Sequence, residues 1–144
     1  MAFSEIALTR EELVFVKKET TAGTLVDPAA TDFILPSGEG EITQQVELLN
    51  DDQIRDSRSR LEMILGRTPA GTWNFPAYIK PSGTAGTAPE GDVLWECLMG
   101  TKTVTGGTKV EYTLANELPS FSMWVRRGHS VFVQRGCTMG RAEI

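Results

Sequence analysis

The sequence predicts a mainly β protein, an antiparallel β-sandwich or half-open barrel with one α-helix packed on its flank. Three observations lead there. Short segments rich in β-branched and aromatic residues recur along most of the chain, several of them alternating apolar with polar. Gly and Pro turn signals separate them. Only one stretch, between Pro89 and Gly100, combines helical spacing with start and stop signals. No internal repeat or low-complexity linker divides the chain, so residues 1–144 read as a single domain.

The first strand is Leu13-Val14-Phe15-Val16-Lys17-Lys18, which runs into the turn-forming Glu19 to Thr24. Phe33-Ile34-Leu35 lies between Asp27-Pro28 and Pro36-Ser37-Gly38, and reads as a short strand or extended loop. Glu41 to Leu48 places apolar residues at 42, 46 and 48, a strand with one wet face. The tract from Asn50 to Arg60 differs in kind. It mixes acids and arginines around a single aliphatic residue, Ile54, and cannot bury enough apolar surface to pack alone. It reads as a solvated loop or an arm awaiting a partner.

Leu61 to Leu65 resumes an apolar pattern and stops at Gly66. Thr72 to Ile79 alternates large residues at 73 and 75 with small or polar ones, with Pro76 suited to an edge or bulge. In the helix, Val93, Leu94, Cys97 and Leu98 share one face, Glu90 and Asp92 favour the positive end of the helix dipole, and Gly100 is a natural stop. Beyond it, Thr105-Gly106-Gly107-Thr108 is a turn and Val110 to Leu114 a strand. Ser120 to Val125 and Ser130 to Gln134 form a hairpin that reverses at Gly128.

Composition excludes several function classes. The chain has 144 residues, 40% hydrophobic and 23% charged, which is enough for a core without staples. No apolar run approaches the roughly 20 residues that cross a bilayer. A net charge of −5 argues against a protein that grips nucleic acid through its phosphates. The N-terminus carries no secretory pattern, and the two cysteines, Cys97 and Cys137, are expected as free thiols of a protein made in a cytoplasm.

Catalytic constellations lack their parts. His129 is the sole histidine and lies in the hairpin turn, and with Cys97 and Cys137 it forms no cluster at metal-ligand spacing. Gly83 to Thr87 lacks the Gly-Lys-Ser/Thr ending of a phosphate loop and precedes an acidic helix start, so it reads as structural. Arg126, Arg127, Arg135 and Arg141 make the last third locally basic, which leaves open a phosphate or carboxylate contact beside the readings of an interface or a salt-bridged surface. Trp73, Trp95 and Trp124 are expected in the core, with one free to anchor a contact. No enzyme, no cofactor and no metal is expected; an interaction protein is.

Several segments taken in order resemble the tail tube proteins of tailed bacteriophages. They are Lys17 to Thr24 with Pro28 to Asp32, Ser82 to Pro89 with Leu94, Cys97 and Gly100, Val110 to Thr113, Ser120 to Val125, and Gly136. The resemblance spans nearly the whole chain. It implies a tail-tube-like β-sandwich that assembles into hexameric rings, with inner sheets closing into one barrel and rings stacking into a conduit for the genome. Its implied partners are further copies of itself and other tail proteins: terminator, distal tail or baseplate, and sheath. DNA would pass without specific binding, no membrane would be involved, and the protein would be assembled in the host cytoplasm and reside in the virion.

Under this resemblance Asp51, Asp52, Arg55, Asp56, Arg58 and Arg60 of the 50–60 arm are expected at the interface between subunits. Glu41, Glu47 and Glu111, on polar strand faces, are expected to face the lumen. The family also leads one to expect a further strand after the Gly136 region. Two other readings stay open at the level of sequence: a single-ring adaptor, terminator or decoration protein of the virion, and a β-sandwich that binds a small ligand or carbohydrate.

Overall fold

A computed structural model of the chain describes residues 12–38, 40–49, 64–67 and 69–143. Ten strands and one helix run in the order β1 (Glu12–Lys18), β2 (Phe33–Ile34), β3 (Glu41–Thr43), β4 (Leu48–Leu49), β5 (Ile64–Leu65), β6 (Thr72–Asn74), α1 (Asp92–Met99), β7 (Gly100–Thr105), β8 (Lys109–Leu114), β9 (Phe121–Arg127) and β10 (Ser130–Cys137). All strand pairs are antiparallel and no sheet closes into a barrel among the described residues. The class is mainly β with a single helix, as the sequence predicts. The chain divides into two compact units, residues 1–39 with 76–144, and residues 40–75.

The larger unit is built on a four-stranded sheet of order β10-β9-β1-β2. Period-2 alternation sorts its side chains. Val14 lies opposite Val125, Val16 opposite Met123 and Lys18 opposite Phe121, so these residues share one face. Val14, Val16, Ile34, Phe121, Met123 and Val125 are buried there, each burial contributing about 1.5–3 kcal/mol. Helix α1 lies against β1 and supplies the buried Cys97, while Lys18 Nζ reaches Glu96 Oε1 at 2.5 Å. The hairpin of β7 and β8 packs against the same helix.

Helix α1 begins later than its sequence signals suggest, because Gly91 adopts a left-handed φ of 75° that no helical residue can hold. Of the predicted apolar face only Cys97 is fully buried; Val93, Leu94 and Leu98 are half-buried. The 121–127 and 130–137 hairpin turns at Gly128 and His129, as expected.

The smaller unit is a two-stranded ribbon. Strand β3 pairs with β6, setting Ile42 opposite Trp73, and β4 pairs with β5, setting Leu48 opposite Leu65. The single strand expected over 41–48 is thus broken after Thr43. Continuing the first register would set Leu48 opposite Arg67, so the opposing chain takes up two residues in between. The stretch across from Gln44 to Glu47 contains Pro69, which has no N–H to donate. The strand expected over 72–79 ends at Asn74 for a similar reason. Pro76 instead offers its carbonyl to Ser37 N at 2.8 Å, and only a lone bridge between Pro36 and Ala77 follows.

Candidate assembly surface

Strand β10 forms one edge of the four-stranded sheet, and no strand among the described residues pairs with its outer side. Val131, Phe132 and Val133 are all exposed on it, so both faces of this edge present apolar groups. Natural proteins usually blunt a free edge with charge, proline or a short strand, because unpaired backbone groups template association. Here the first five residues carry no charge, and Arg135 lies within a bulge between Gln134 and Cys137. The opposite edge, β2, is two residues long and exposes Phe33, with Leu35 just beyond it.

The sheet face turned away from the core is apolar as well. Phe33 lies opposite Phe15, Phe15 opposite Trp124, and Trp124 opposite Val133, a row that crosses all four strands. Beside it, Leu13 lies opposite Arg126 and Arg126 opposite Val131. Among the described residues seven apolar side chains are buried while fourteen large ones are exposed, a balance that leaves substantial apolar surface for partners.

Polar groups at both ends of the sheet fix its shape. Glu19, only 5% exposed, follows β1 directly. Its Oε1 accepts Ser122 Oγ–H and the Gly136 N–H, and its Oε2 accepts Ser120 Oγ–H and the Gly23 N–H, each at 2.7 Å. Burial by itself raises the carboxyl pKa, but these donors, Gly136 foremost, outweigh it and bring it down to about 2. Ser122 Oγ in turn accepts the Val26 N–H at 3.3 Å, so one carboxylate ties the 19–26 loop, β9 and the bulge of β10 together. At the other end, Arg127 Nη2 and Nε donate to Glu12 Oε2 at 2.9 and 3.2 Å across the β1–β9 pair.

A second network holds α1. Asp92 Oδ1 accepts Tyr112 Oη–H at 2.6 Å, and Lys102 contacts Asp92 Oδ2 and, at 3.5 Å, Glu96 Oε2. Burial and the adjacent Asp92 push the Tyr112 phenol above its ordinary range. Burial alone would lower the Lys102 pKa; the hydrogen bond to Asp92 reverses that and raises it. On the 28–32 turn, Asp32 accepts Lys17 Nζ–H at 2.6 Å and the Ala29 N–H at 2.7 Å, which outweigh its burial and lower its pKa.

Cys97 and Cys137 are free thiols, both pushed up to about 11, Cys97 by burial and then Glu96, Cys137 by burial and then Glu19. Such thiols are almost wholly protonated near neutral pH and are poor nucleophiles. Among the described residues no group of three or more His, Cys, Asp or Glu could hold a metal ion. No helix among them is long and apolar enough to cross a membrane. The 83–87 loop folds on itself, with Ser82 Oγ 2.9 Å from Thr87 O.

Of the residues singled out in the sequence, Asp51, Asp52, Arg55, Asp56, Arg58 and Arg60 lie outside the described residues. Glu41 on β3 and Glu47 before β4 are exposed and belong to one ribbon. Glu111 is exposed on β8 in the larger unit and pairs with Lys109 Nζ at 2.7 Å. Trp73, Trp95 and Trp124 are half-buried, and the Trp73 indole N–H has no hydrogen-bond partner among the described residues. Sequence reasoning missed Glu19. Its only local signal is its place inside the Lys17 to Thr24 segment.

Comparison with the curated proteins and with the solved structures returned no match. A family described as phage tail tube protein matches residues 9–144, nearly the whole chain. On that match the chain, whose described residues form antiparallel sheets with one helix, belongs to the phage tail tube protein family, and its role is that of a structural component of the viral tail.

Proposed function

We propose that six copies of this chain close into a ring, that rings stack into a tube, and that the viral genome passes through the bore. The observation that carries this reading is the open edge of β10 on a sheet whose other edge, β2, runs in the opposite sense. Copies related by rotation then meet edge to edge in antiparallel fashion, and closure of the ring leaves no edge exposed.

Within that assembly the 50–60 tract is the arm that reaches a neighbour, with Asp51, Asp52, Arg55, Asp56, Arg58 and Arg60 pairing across the contact. Its polar, mixed-charge composition, which cannot pack alone, supports the assignment. Glu41, Glu47 and Glu111 face the bore. Their exposure and the net charge of −5 suit a wall past which DNA slides, since each phosphate contact would slow transit. Other contacts are made with terminator, distal tail or baseplate and sheath proteins. Assembly takes place in the host cytoplasm.

The test is removal of Asp51 to Ser59. The shortened chain is expected to keep its circular dichroism spectrum and sediment as a single subunit under conditions where the full chain polymerises. Polymerisation of the shortened chain would overturn the arm assignment.

A further inference from the structure

We propose that Glu90 is a removable cap on the β2 edge, and that the β10 edge of a second copy displaces it and pairs in one register, Val131 with Leu35 and Val133 with Phe33. The proposal rests on the tube-subunit reading and deepens it by naming the pairing and the contact that restrains it.

Register decides which backbone groups each edge offers. The β9–β10 hairpin turns through two residues, so its closing pair, Arg127 and Ser130, exchanges backbone bonds. Alternation then points the N–H and C=O of Phe132 and Gln134 at β9, and those of Val131 and Val133 outward. On the other edge the Val16 N–H donates to Asp32 O at 3.0 Å, which by the same alternation turns Ile34 toward β1 and Phe33 and Leu35 outward.

The two edges are therefore complementary. Laid antiparallel, Val131 meets Leu35 and Val133 meets Phe33, with Phe132 and Ile34 opposed between them. The first two pairs lie on the outer face, where Val131 is 58% exposed, Leu35 43%, Val133 47% and Phe33 41%. Every pair joins apolar to apolar. A shift of two residues one way sets Thr31 against Val133, and the other way sets Phe33 against Arg135 inside the bulge.

The outward groups of β2 are not all open. The Leu35 N–H donates to Glu90 Oε1 at 3.3 Å, and Lys80 Nζ holds the same carboxylate, 3.1 Å from Oε2. An added Cβ on Gly91 would lie 3.5 Å from Ile34 Cδ1, so the segment leading into α1 flanks this edge. Charge at an edge guards against unwanted pairing, and β10 carries none in its first five residues. A neighbour's β10 must break the bond from Leu35 to Glu90 before Val131 can pair, and Glu90 then keeps Lys80 as its partner.

The experiment uses the full chain and reads, by light scattering, the concentration at which polymer first appears. Glu90→Ala is expected to keep its circular dichroism spectrum and to lower that threshold at least about threefold, since no charge-assisted bond opposes pairing. Lys80→Ala frees the cap without removing the acceptor and is expected to act in the same direction. An unchanged or raised threshold in Glu90→Ala, or in Lys80→Ala should the first fail to fold, overturns the cap. The register is read in Cys137→Ser chains oxidised in air after assembly. Leu35→Cys with Val131→Cys on one chain is expected to give ladders of disulfide-linked copies at least about fivefold above Leu35→Cys with Val133→Cys, because opposed residues lie closer than diagonal ones. Within one chain β9 and β1 separate the two edges, so these links join copies. Assembly without that preference overturns the register and leaves the tube reading intact. A wild-type chain that never assembles overturns both.

Discussion

Glu19 and Gly136, separated by 117 residues in sequence, meet through a 2.7 Å hydrogen bond from the glycine N–H to Glu19 Oε1. The bond anchors the bulge of the edge strand to the end of β1, and three more donors share the same carboxylate. One buried charge therefore fixes the part of the molecule assigned to assembly.

Glu19→Gln is expected to destabilise the subunit by about 2 kcal/mol at pH 7, since the replacement loses charge-assisted bonds and turns an amide N–H2 toward existing donors. The pH dependence follows from the lowered carboxyl pKa. With a folded value near 2 against an ordinary 4.5, the stabilisation is complete above about 4.5 and is lost as pH falls toward 2. After allowance for solvent screening this amounts to on the order of 1–2 kcal/mol. Urea unfolding at pH 7 and pH 3 measures it; equal losses in wild type and variant would contradict the assignment.

Tyr112→Phe removes the only hydroxyl that donates to Asp92 Oδ1 among the described contacts and leaves Lys102 in place. The expected cost is about 1–2 kcal/mol, because the acceptor is charged and part-buried. Equilibrium denaturation checks it, and a change below about 0.3 kcal/mol would mean that the bond does not hold α1 to β8.

Two glycines with nearly the same φ separate strain from crowding. Gly83 (φ +73°) has open space around an added Cβ, whereas at Gly86 (φ +71°) that atom would lie 2.5 Å from Gly107 N and Thr105 O. Gly83→Ala should cost about 1 kcal/mol from the left-handed backbone alone. Gly86→Ala should cost several-fold more, because backbone of the β7–β8 turn must move. Comparable melting temperatures for the two variants would show that the loop does not rest on the hairpin.

Both thiols are expected to react slowly with a disulfide reagent at pH 8 in the folded chain and rapidly in urea, since values near 11 leave about one part in a thousand as thiolate. Fast labelling of the native chain would contradict the burial of Cys97 and the shielding of Cys137.

Much of the fold was legible because its main strands are half-buried and alternate. Strands β1, β8 and β9 follow period 2 closely, and the β9 alternation fails only at Ser122, which is buried through Glu19 rather than through apolar contact. The ribbon was legible only in pieces. Its strands 41–49 and 64–74 are joined through a polar tract, and pairing across that tract has no local pattern. Glu19 was illegible for a related reason: three of its four donors come from Ser120, Ser122 and Gly136, distant in sequence. A polar residue in a Lys-Lys-Glu-Thr-Thr run reads as solvated until the fold brings those donors to it.

The most direct test of the central claim is negative-stain electron microscopy of the purified full chain at rising concentration. The account predicts hollow sixfold rings that stack into open-ended tubes. A chain that remains strictly monomeric at high concentration, or that stops at one capped ring, would contradict it.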